Sequence, residues 1–260
     1  MRKVILTAAT AGLVLTSGAG SVFAQDEEVE YPNMRVVESW TCKYNEGKGR
    51  ADLDKANAAW NKWMDETGQD DYTALIVTPY FFAEAAFDVG WIGVARDGHA
   101  FGEGTDRWIN EGGEIGAMFA EAITCDSHSA WVSMNVDPSE NDGSDEGDDT
   151  FVLSFSNCSI KDDHTFRDYL AATRQWNEYA AEHGFKQAGW VWFPVAGESD
   201  DDYDFKFAGG EDDYRTMGAN WQLYMDGHWR KSSELFDPVV KCDVSRIYNA
   251  TMLRRWADEA

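Results

Sequence analysis

The chain has little positive charge: 22 lysines and arginines stand against 47 aspartates and glutamates, so the formal net charge is −25 over 260 residues. Such a surface repels phosphate backbones and anionic lipids, which excludes nucleic acids as expected partners. After the first 24 residues the sequence also lacks any apolar run long enough to span a membrane. We therefore expect neither a nucleic-acid-binding protein nor a membrane-anchored one.

Several familiar chemical motifs are also missing. None of the four cysteines belongs to a C-x-x-C pair, which disfavours a zinc ribbon or a thioredoxin-type site. FGEGTD at 101–106 lacks the third glycine of a dinucleotide-binding fingerprint, and no G-x-S-x-G is present. The acidic run at 137–149 lacks the spacing of a calcium-binding loop. We expect no metal and no cofactor.

The first 24 residues have the pattern of a secretory signal peptide. Two basic residues precede the apolar stretch VILTAATAGLVL, and VFA at 22–24 supplies small residues for cleavage. The next residue is Gln25 and not a cysteine, so no lipid anchor is expected at that point. Residues 25–33 would form a short tail on a protein exported to a bacterial periplasm or secreted.

The rest of the chain contains an internal repeat with an offset of about 116 residues. The matched pairs, within one residue of that offset, are Cys42–Cys158, Trp60–Trp176, Asp88–Asp204, Trp91–Phe207, Gly93–Gly209, Gly102–Gly218 and Cys125–Cys242. Chance supplies two or three such matches but hardly so many in order, and a fixed spacing is the signature of a repeat. We predict two copies of one domain, at 34–136 and 150–255, joined by an acidic linker at 137–149.

Each copy has the pattern strand, helix, strand, strand, helix, strand, which is the order of a ferredoxin-like (βαββαβ) unit. MRVVESWTCKY at 34–44, for example, is typical of a strand. Four cysteines allow three disulfide connectivities. In the ferredoxin-like topology the first and fourth strands are antiparallel neighbours, so we predict the bridges Cys42–Cys125 and Cys158–Cys242, one in each copy.

Two ferredoxin-like sheets in one chain can cover each other's bare faces. This α+β arrangement resembles the dimeric α+β barrel superfamily, NIPSNAP- or ABM-like, fused here into one polypeptide as a pseudo-dimer over about residues 34–250. The superfamily includes cofactor-free monooxygenases, small cyclases and isomerases, NIPSNAP-like proteins and haem enzymes of the chlorite dismutase type. The resemblance implies a ligand-sized cavity inside the barrel, in a monomer or a homo-oligomer. It does not choose among those chemistries, because fold does not fix function.

Two matched aspartates and one histidine are the candidates for chemistry. Asp88 and Asp204 begin the third strand of their copies, where a desolvated carboxyl would gain the raised pKa that a general base requires. The alternative is an aspartate that accepts backbone N–H groups of the preceding loop. His99 lies in the glycine-rich RDGHAFGEG and could reach a cavity mouth. A haem alternative would need one of the five histidines as axial ligand.

The tryptophans predict the lining of the cavity. In GWVWF, Trp190 and Trp192 share one strand face while the intervening residue points the other way, so one apolar set should face the barrel interior. Such a lining suits a flat apolar or aromatic ligand. The full set of expected ligand contacts is Asp88, Trp91, His99, Trp190, Trp192, Asp204 and Phe207.

The expected function is that of an exported protein holding a small hydrophobic or aromatic molecule in a barrel cavity. One alternative is a cofactor-independent oxygenase, isomerase or cyclase that uses Asp88 or His99. Another is a disulfide-stabilised structural or interaction domain. The sequence leaves open whether the protein catalyses any reaction.

Overall fold

The computed structural model describes residues 34–83, 86–137, 149–197 and 203–256, so the predicted signal peptide, the predicted N-terminal tail and most of the predicted acidic linker lie outside the described residues. The first half contains β1 (Met34–Tyr44), α1 (Arg50–Glu66), β2 (Tyr72–Phe81), β3 (Val89–Ala95), α2 (Gly98–Glu111), α3 (Gly113–Ala122) and β4 (Ile123–Asp137). The second half contains β5 (Thr150–Ile160), α4 (Phe166–His183), β6 (Ala188–Ala196), β7 (Phe205–Glu211), α5 (Tyr214–Leu223), a π-helix (Tyr224–His228), α6 (Trp229–Phe236), β8 (Val240–Cys242) and β9 (Arg246–Arg254).

The elements repeat at the spacing seen in the sequence. From β5 to α5, each element begins 116 residues after its counterpart, as β5 at residue 150 does after β1 at residue 34. The hydrophobic spacing explains the helices: α1 buries Leu53, Trp60 and Met64, which recur on one helical face.

Eight of the described strands close into an antiparallel barrel in the order β7–β6–β4–β1–β3–β2–β9–β5, and β5 returns to β7. Inside each half the order is equivalent, β4–β1–β3–β2 and β9–β5–β7–β6. The strand pairs β4–β6 and β2–β9 join the halves along two seams. The short β8 pairs with β5 beyond the closed ring. The expected α+β barrel is thus confirmed.

Two disulfides brace the barrel. Cys42–Cys125 joins β1 to β4, and Cys158–Cys242 joins β5 to β8, with sequence separations of 83 and 84 residues. These are the pairs expected from neighbouring first and fourth strands. No helix in the described part of the chain is both long and apolar enough to cross a membrane.

The barrel interior is a packed core built from both halves. Its buried members are Val37, Leu75, Val77, Ile92, Trp131, Leu153, Trp192, Ala208, Tyr248 and Ala250. Trp190 and Trp192 do point inward, as the GWVWF pattern indicates, but Trp192 packs 5.0 Å from the ring of Phe155 and 6.2 Å from that of Trp131. Aromatic side chains from other strands thus surround these two tryptophans, and their contact with a ligand stays a prediction.

Candidate functional site

A large cavity lies outside the barrel, in the first half, between the outer face of the sheet and helices α1 to α3. Its volume is about 670 Å³, and we call it the sheet–helix cavity. Residues of β1 and β3 form one wall, and residues of the three helices form the other. Five tryptophans contribute to its lining: Trp40, Trp60, Trp63, Trp91 and Trp108.

The aromatic walls are held by edge-to-face contacts. The rings of Trp60 and Trp91 are 4.8 Å apart at 89°, and those of Trp91 and Phe119 are 5.8 Å apart at 88°. Trp63 and Trp108 meet in the same way at 5.7 Å and 72°. Such pairs add stabilisation beyond area burial. The walls are thus braced from both sides, and the space between them stays open.

One end of the cavity is polar and is organised around Glu38. Tyr72 Oη donates to Glu38 Oε1 at 2.5 Å, and His128 Nε2 lies 2.8 Å from Oε2. Trp40 Nε1 also donates to Oε2, at 3.4 Å, and Trp91 Nε1 donates to Tyr72 Oη at 3.4 Å. The side chain of Glu38 is 19% exposed and that of His128 is 43% exposed, so the histidine lies toward solvent. We call Glu38, Tyr72 and His128 the Glu38 cluster.

The electrostatics of the Glu38 cluster assign its donors and its acceptor. Burial by itself raises the pKa of Glu38, but hydrogen bonds from His128 and Tyr72 outweigh it and hold that pKa below the usual value. The pKa of Tyr72 is raised well above its usual value by burial and by the negative charge of Glu38. Near neutral pH, Glu38 is therefore a carboxylate acceptor and Tyr72 a phenol donor.

Local sequence explains how the cluster forms. Gly93 lies beneath Tyr72, and a Cβ at that position would stand 1.5 Å from the phenol oxygen, so only glycine lets Tyr72 reach across β3 to Glu38. Trp40 and His128 are partners across β1 and β4, and their rings stack with centroids 3.5 Å apart at 12°. The indole thus fixes the plane of the imidazole.

The predicted aspartates lie away from the sheet–helix cavity and are exposed. Asp88 Oδ2 accepts the backbone N–H of Tyr44 at 3.0 Å, and Asp204 Oδ2 accepts that of Ile160 at 2.7 Å. This is the backbone-accepting arrangement that stood as the alternative to a general base. Asp88 also borders a shallower depression of about 420 Å³.

The other predicted residues divide between the two halves. His99 is the second residue of α2 and exposed, and its backbone N–H donates to Asp97 at 2.8 Å. Trp91 lines the sheet–helix cavity, whereas its counterpart Phe207 packs into the apolar core of the second half. Of the expected ligand contacts, Trp91 is the one that reaches this cavity.

Sequence reasoning missed Glu38, Tyr72 and His128 because they come from three strands separated by 34 and 90 residues. A comparison of the two halves of the sequence could have indicated this strand face. At the offset of 116, Glu38 falls on Ser154 and Trp40 on Ser156, so the two copies differ on the strand face that carries the cluster.

No known protein family matches the sequence, and no curated protein matches it either. Solved structures do share the fold. A protein provisionally assigned as a chlorite dismutase aligns with a TM-score of 0.52 at 11% identity, over 84% of this chain and 94% of that chain. A provisionally assigned monooxygenase from Lactobacillus acidophilus gives 0.51 at 12% identity, over 85% and 95%. A mutant chlorite dismutase from Candidatus Nitrospira defluvii gives 0.50 at 10% identity, over 85% and 93%.

At these identities the likeness concerns the fold alone. The chain has the barrel of the dimeric α+β type, as chlorite dismutase-like proteins do. The narrower NIPSNAP- or ABM-like resemblance expected from the sequence is not supported by these neighbours.

The residues of the sheet–helix cavity do not fit haem, the group that the chlorite dismutase type of enzyme brings into question. His128 is the sole histidine among the described lining residues, yet its Nε2 is engaged by Glu38 and its ring lies flat on Trp40. The described lining also contains no lysine or arginine that could pair with the two propionates.

Proposed function

We propose that the protein binds a small, flat, largely apolar molecule in the sheet–helix cavity. The proposal rests on one observation: five tryptophans and the Glu38 cluster line the same cavity of about 670 Å³. Small-molecule sites typically measure about 300–1,000 Å³, with mostly apolar walls and a few placed polar groups. The ligand's apolar body would lie among the tryptophans and its polar group beside Glu38.

The second half supports this proposal as an internal control. There the space between sheet and helices holds a cluster of rings that includes Phe166, Tyr169, Phe193 and Phe205. Phe205 is 0% exposed and lies 4.9 Å from Tyr169 and 5.7 Å from Phe166. The same architecture therefore forms with this space filled, so an open cavity is no requirement of the fold.

We further propose that each half is a ferredoxin-like repeat and that the protein acts in the periplasm or after secretion. The equivalent strand orders of the two halves support the repeats, with boundaries near 34–136 and 150–255. Two disulfides are typical of an oxidising compartment, and the first 24 residues have the pattern of an export signal.

A titration with N-phenyl-1-naphthylamine, a neutral fluorescent probe, tests the binding proposal. We expect saturable enhancement of probe fluorescence with quenching of the tryptophans. Gly116 lies on α3 in the cavity lining, so Gly116→Phe should fill the space and abolish binding. The matched control is Gly218→Phe on α5, where a side chain meets open space. If the Gly116→Phe variant binds the probe as tightly as the unmodified protein does, the proposal is contradicted.

A second candidate function is catalysis by proton transfer at the same site. His128 is hydrogen-bonded to a carboxylate and fixed by a stacked indole, which is the arrangement of an oriented general base. A cofactor-independent oxygenase, isomerase or cyclase would then use His128 instead of Asp88 or His99. If a native ligand is recovered and turned over, His128→Gln should abolish turnover and preserve binding. Absence of both activities would favour a structural or interaction domain.

A further inference from the structure

The polar end of the sheet–helix cavity holds the carboxylate of Glu38, with His128 as its hydrogen-bond partner. Among the described lining residues, Glu38 is the acidic one and neither lysine nor arginine occurs. The chain as a whole carries a formal charge of −25, so its field attracts cations and repels anions. A ligand with a negative group would enter against this field and would find no lysine or arginine to pair with.

Glu38 retains capacity to accept one more hydrogen bond. A carboxylate offers about four lone-pair positions. Oε2 accepts from His128 and Trp40, whereas Oε1 accepts from Tyr72. One position on Oε1 is left, and the three existing donors hold the carboxylate in place. A cation beside this carboxylate would thus meet a negative charge that three donors hold in place.

The aromatic walls favour the same kind of ligand. Indole has the strongest negative ring face among the aromatic side chains, and a cation over such a face is attracted most when water is excluded. Trp60 is 5% exposed, and its edge-to-face contact with Trp91 keeps the two rings roughly perpendicular. Walls of tryptophan combined with one carboxylate are the chemistry that recognises quaternary ammonium groups.

We propose that the ligand of the sheet–helix cavity is an organic cation, an ammonium group carried on a flat aromatic or short apolar body. This inference rests on the proposed binding function and names its ligand class. The ammonium group lies beside Glu38 Oε1 and the apolar body lies among the tryptophans. Neutral molecules of the same shape bind more weakly, and anions are excluded.

Three probes of similar shape test the ligand class on the unmodified protein. Phenyltrimethylammonium is the cation, tert-butylbenzene its neutral isostere and benzenesulfonate the anion. Each competes with N-phenyl-1-naphthylamine, and calorimetry measures each directly. We expect the cation to bind at least about tenfold more tightly than tert-butylbenzene, because only the cation gains from the carboxylate and the indole faces. Benzenesulfonate should not compete.

Substitution of Glu38 provides a second test of the ligand class. Glu38→Gln should weaken phenyltrimethylammonium binding by at least about tenfold, because the charge–charge attraction is lost, while tert-butylbenzene binding changes little. Glu211→Gln, which removes a buried carboxyl from the second half, is the matched control and should alter neither. If Glu38→Gln does not fold, the three probes on the unmodified protein still decide the matter.

The outcomes separate the two proposals. If tert-butylbenzene binds as tightly as the cation, or benzenesulfonate competes, the cation inference is overturned and the binding function stands. If N-phenyl-1-naphthylamine and all three probes fail to bind by calorimetry, both are overturned.

Discussion

In the first half of the chain the space between sheet and helices is open, whereas in the second half aromatic side chains fill it. Trp91 borders the sheet–helix cavity, and its counterpart Phe207 lies in a packed core. Glu38 and Trp40 are replaced by Ser154 and Ser156, so these strand positions of the second half carry neither the carboxylate nor the indole of the Glu38 cluster. The two halves thus share a strand order but differ in whether their sheet and helices enclose an open space.

The last strands of the two halves also differ. In the first half β4 runs unbroken from Ile123 to Asp137 and presents His128. In the second half β8 ends at Cys242 and β9 begins at Arg246, and at the local offset of 117 given by Cys125 and Cys242 the position of His128 falls on Ser245, in that gap. A continuous strand is therefore part of what places the imidazole.

Removal of the disulfides should give the largest effects. Each bridge closes a loop of more than 80 residues, so the double variants Cys42→Ser/Cys125→Ser and Cys158→Ser/Cys242→Ser should each lose about 4–5 kcal/mol of unfolding free energy. Cys42 and Cys125 also line the sheet–helix cavity. Urea unfolding should show similar destabilisation of the two double variants. Probe titration should show reduced affinity only for the Cys42→Ser/Cys125→Ser variant. Reduced probe affinity in both double variants would contradict the difference between the two halves.

Truncation of one ring in each half comes next. Phe205→Ala would leave a cavity in a close-packed core and should cost about 3–5 kcal/mol of unfolding free energy. Trp91→Ala removes a ring that already borders open space, so it should cost less while reducing probe affinity. Chemical denaturation of both variants measures the difference. A larger loss of stability from Trp91→Ala would show that its wall is packed instead of open.

Two buried carboxyls should give opposite pH dependence. Burial and the nearby charge of Asp212 raise the pKa of Glu211 from 4.5 to about 7, and its Oε2 has no hydrogen-bond partner among the described residues. Between these values the native state holds a proton that the unfolded state has lost, so stability falls as pH rises through this window, by about 3 kcal/mol at most. Glu211→Gln should abolish this fall between pH 5 and pH 8 in urea titrations.

The contribution of Glu38 to stability should have the opposite pH dependence, because the pKa of Glu38 is lowered in the native state. Its contribution is present above the unfolded pKa and is lost as pH falls through the native pKa. Glu38→Gln should therefore be less stable than the wild type near pH 7, and this difference should shrink under acid conditions. A difference that grows under acid would refute the assigned hydrogen bonds.

Loss of a single hydroxyl should give the smallest effect. Tyr72→Phe removes the donor at 2.5 Å from Glu38 and should cost about 1–1.5 kcal/mol. Tyr179→Phe is a comparable change in the second half, because Tyr179 Oη lies 2.6 Å from His228 Nδ1. Both stabilities should fall slightly, but ligand affinity should change only for Tyr72→Phe.

The disulfide pairs and the barrel could be predicted from sequence because they depend on local periodicity and on cysteine spacing. The position of the cavity could not be predicted from sequence. GWVWF indicates which way Trp190 and Trp192 face, but Phe155 and Tyr248, from strands distant in sequence, decide that their side of the sheet is filled. Whether space remains on either face depends on side-chain volumes from several elements at once.

A crystal structure of the protein under xenon pressure would test the asymmetry between the halves most directly, because xenon enters apolar cavities and has no charge to steer it. We expect xenon among the tryptophans of the sheet–helix cavity, near Leu53, Ile76 and Val89. We expect none among the packed rings around Phe205 or beside Trp192 in the barrel core. Xenon inside the barrel or beneath the second helical layer, with none in the first half, would contradict this expectation.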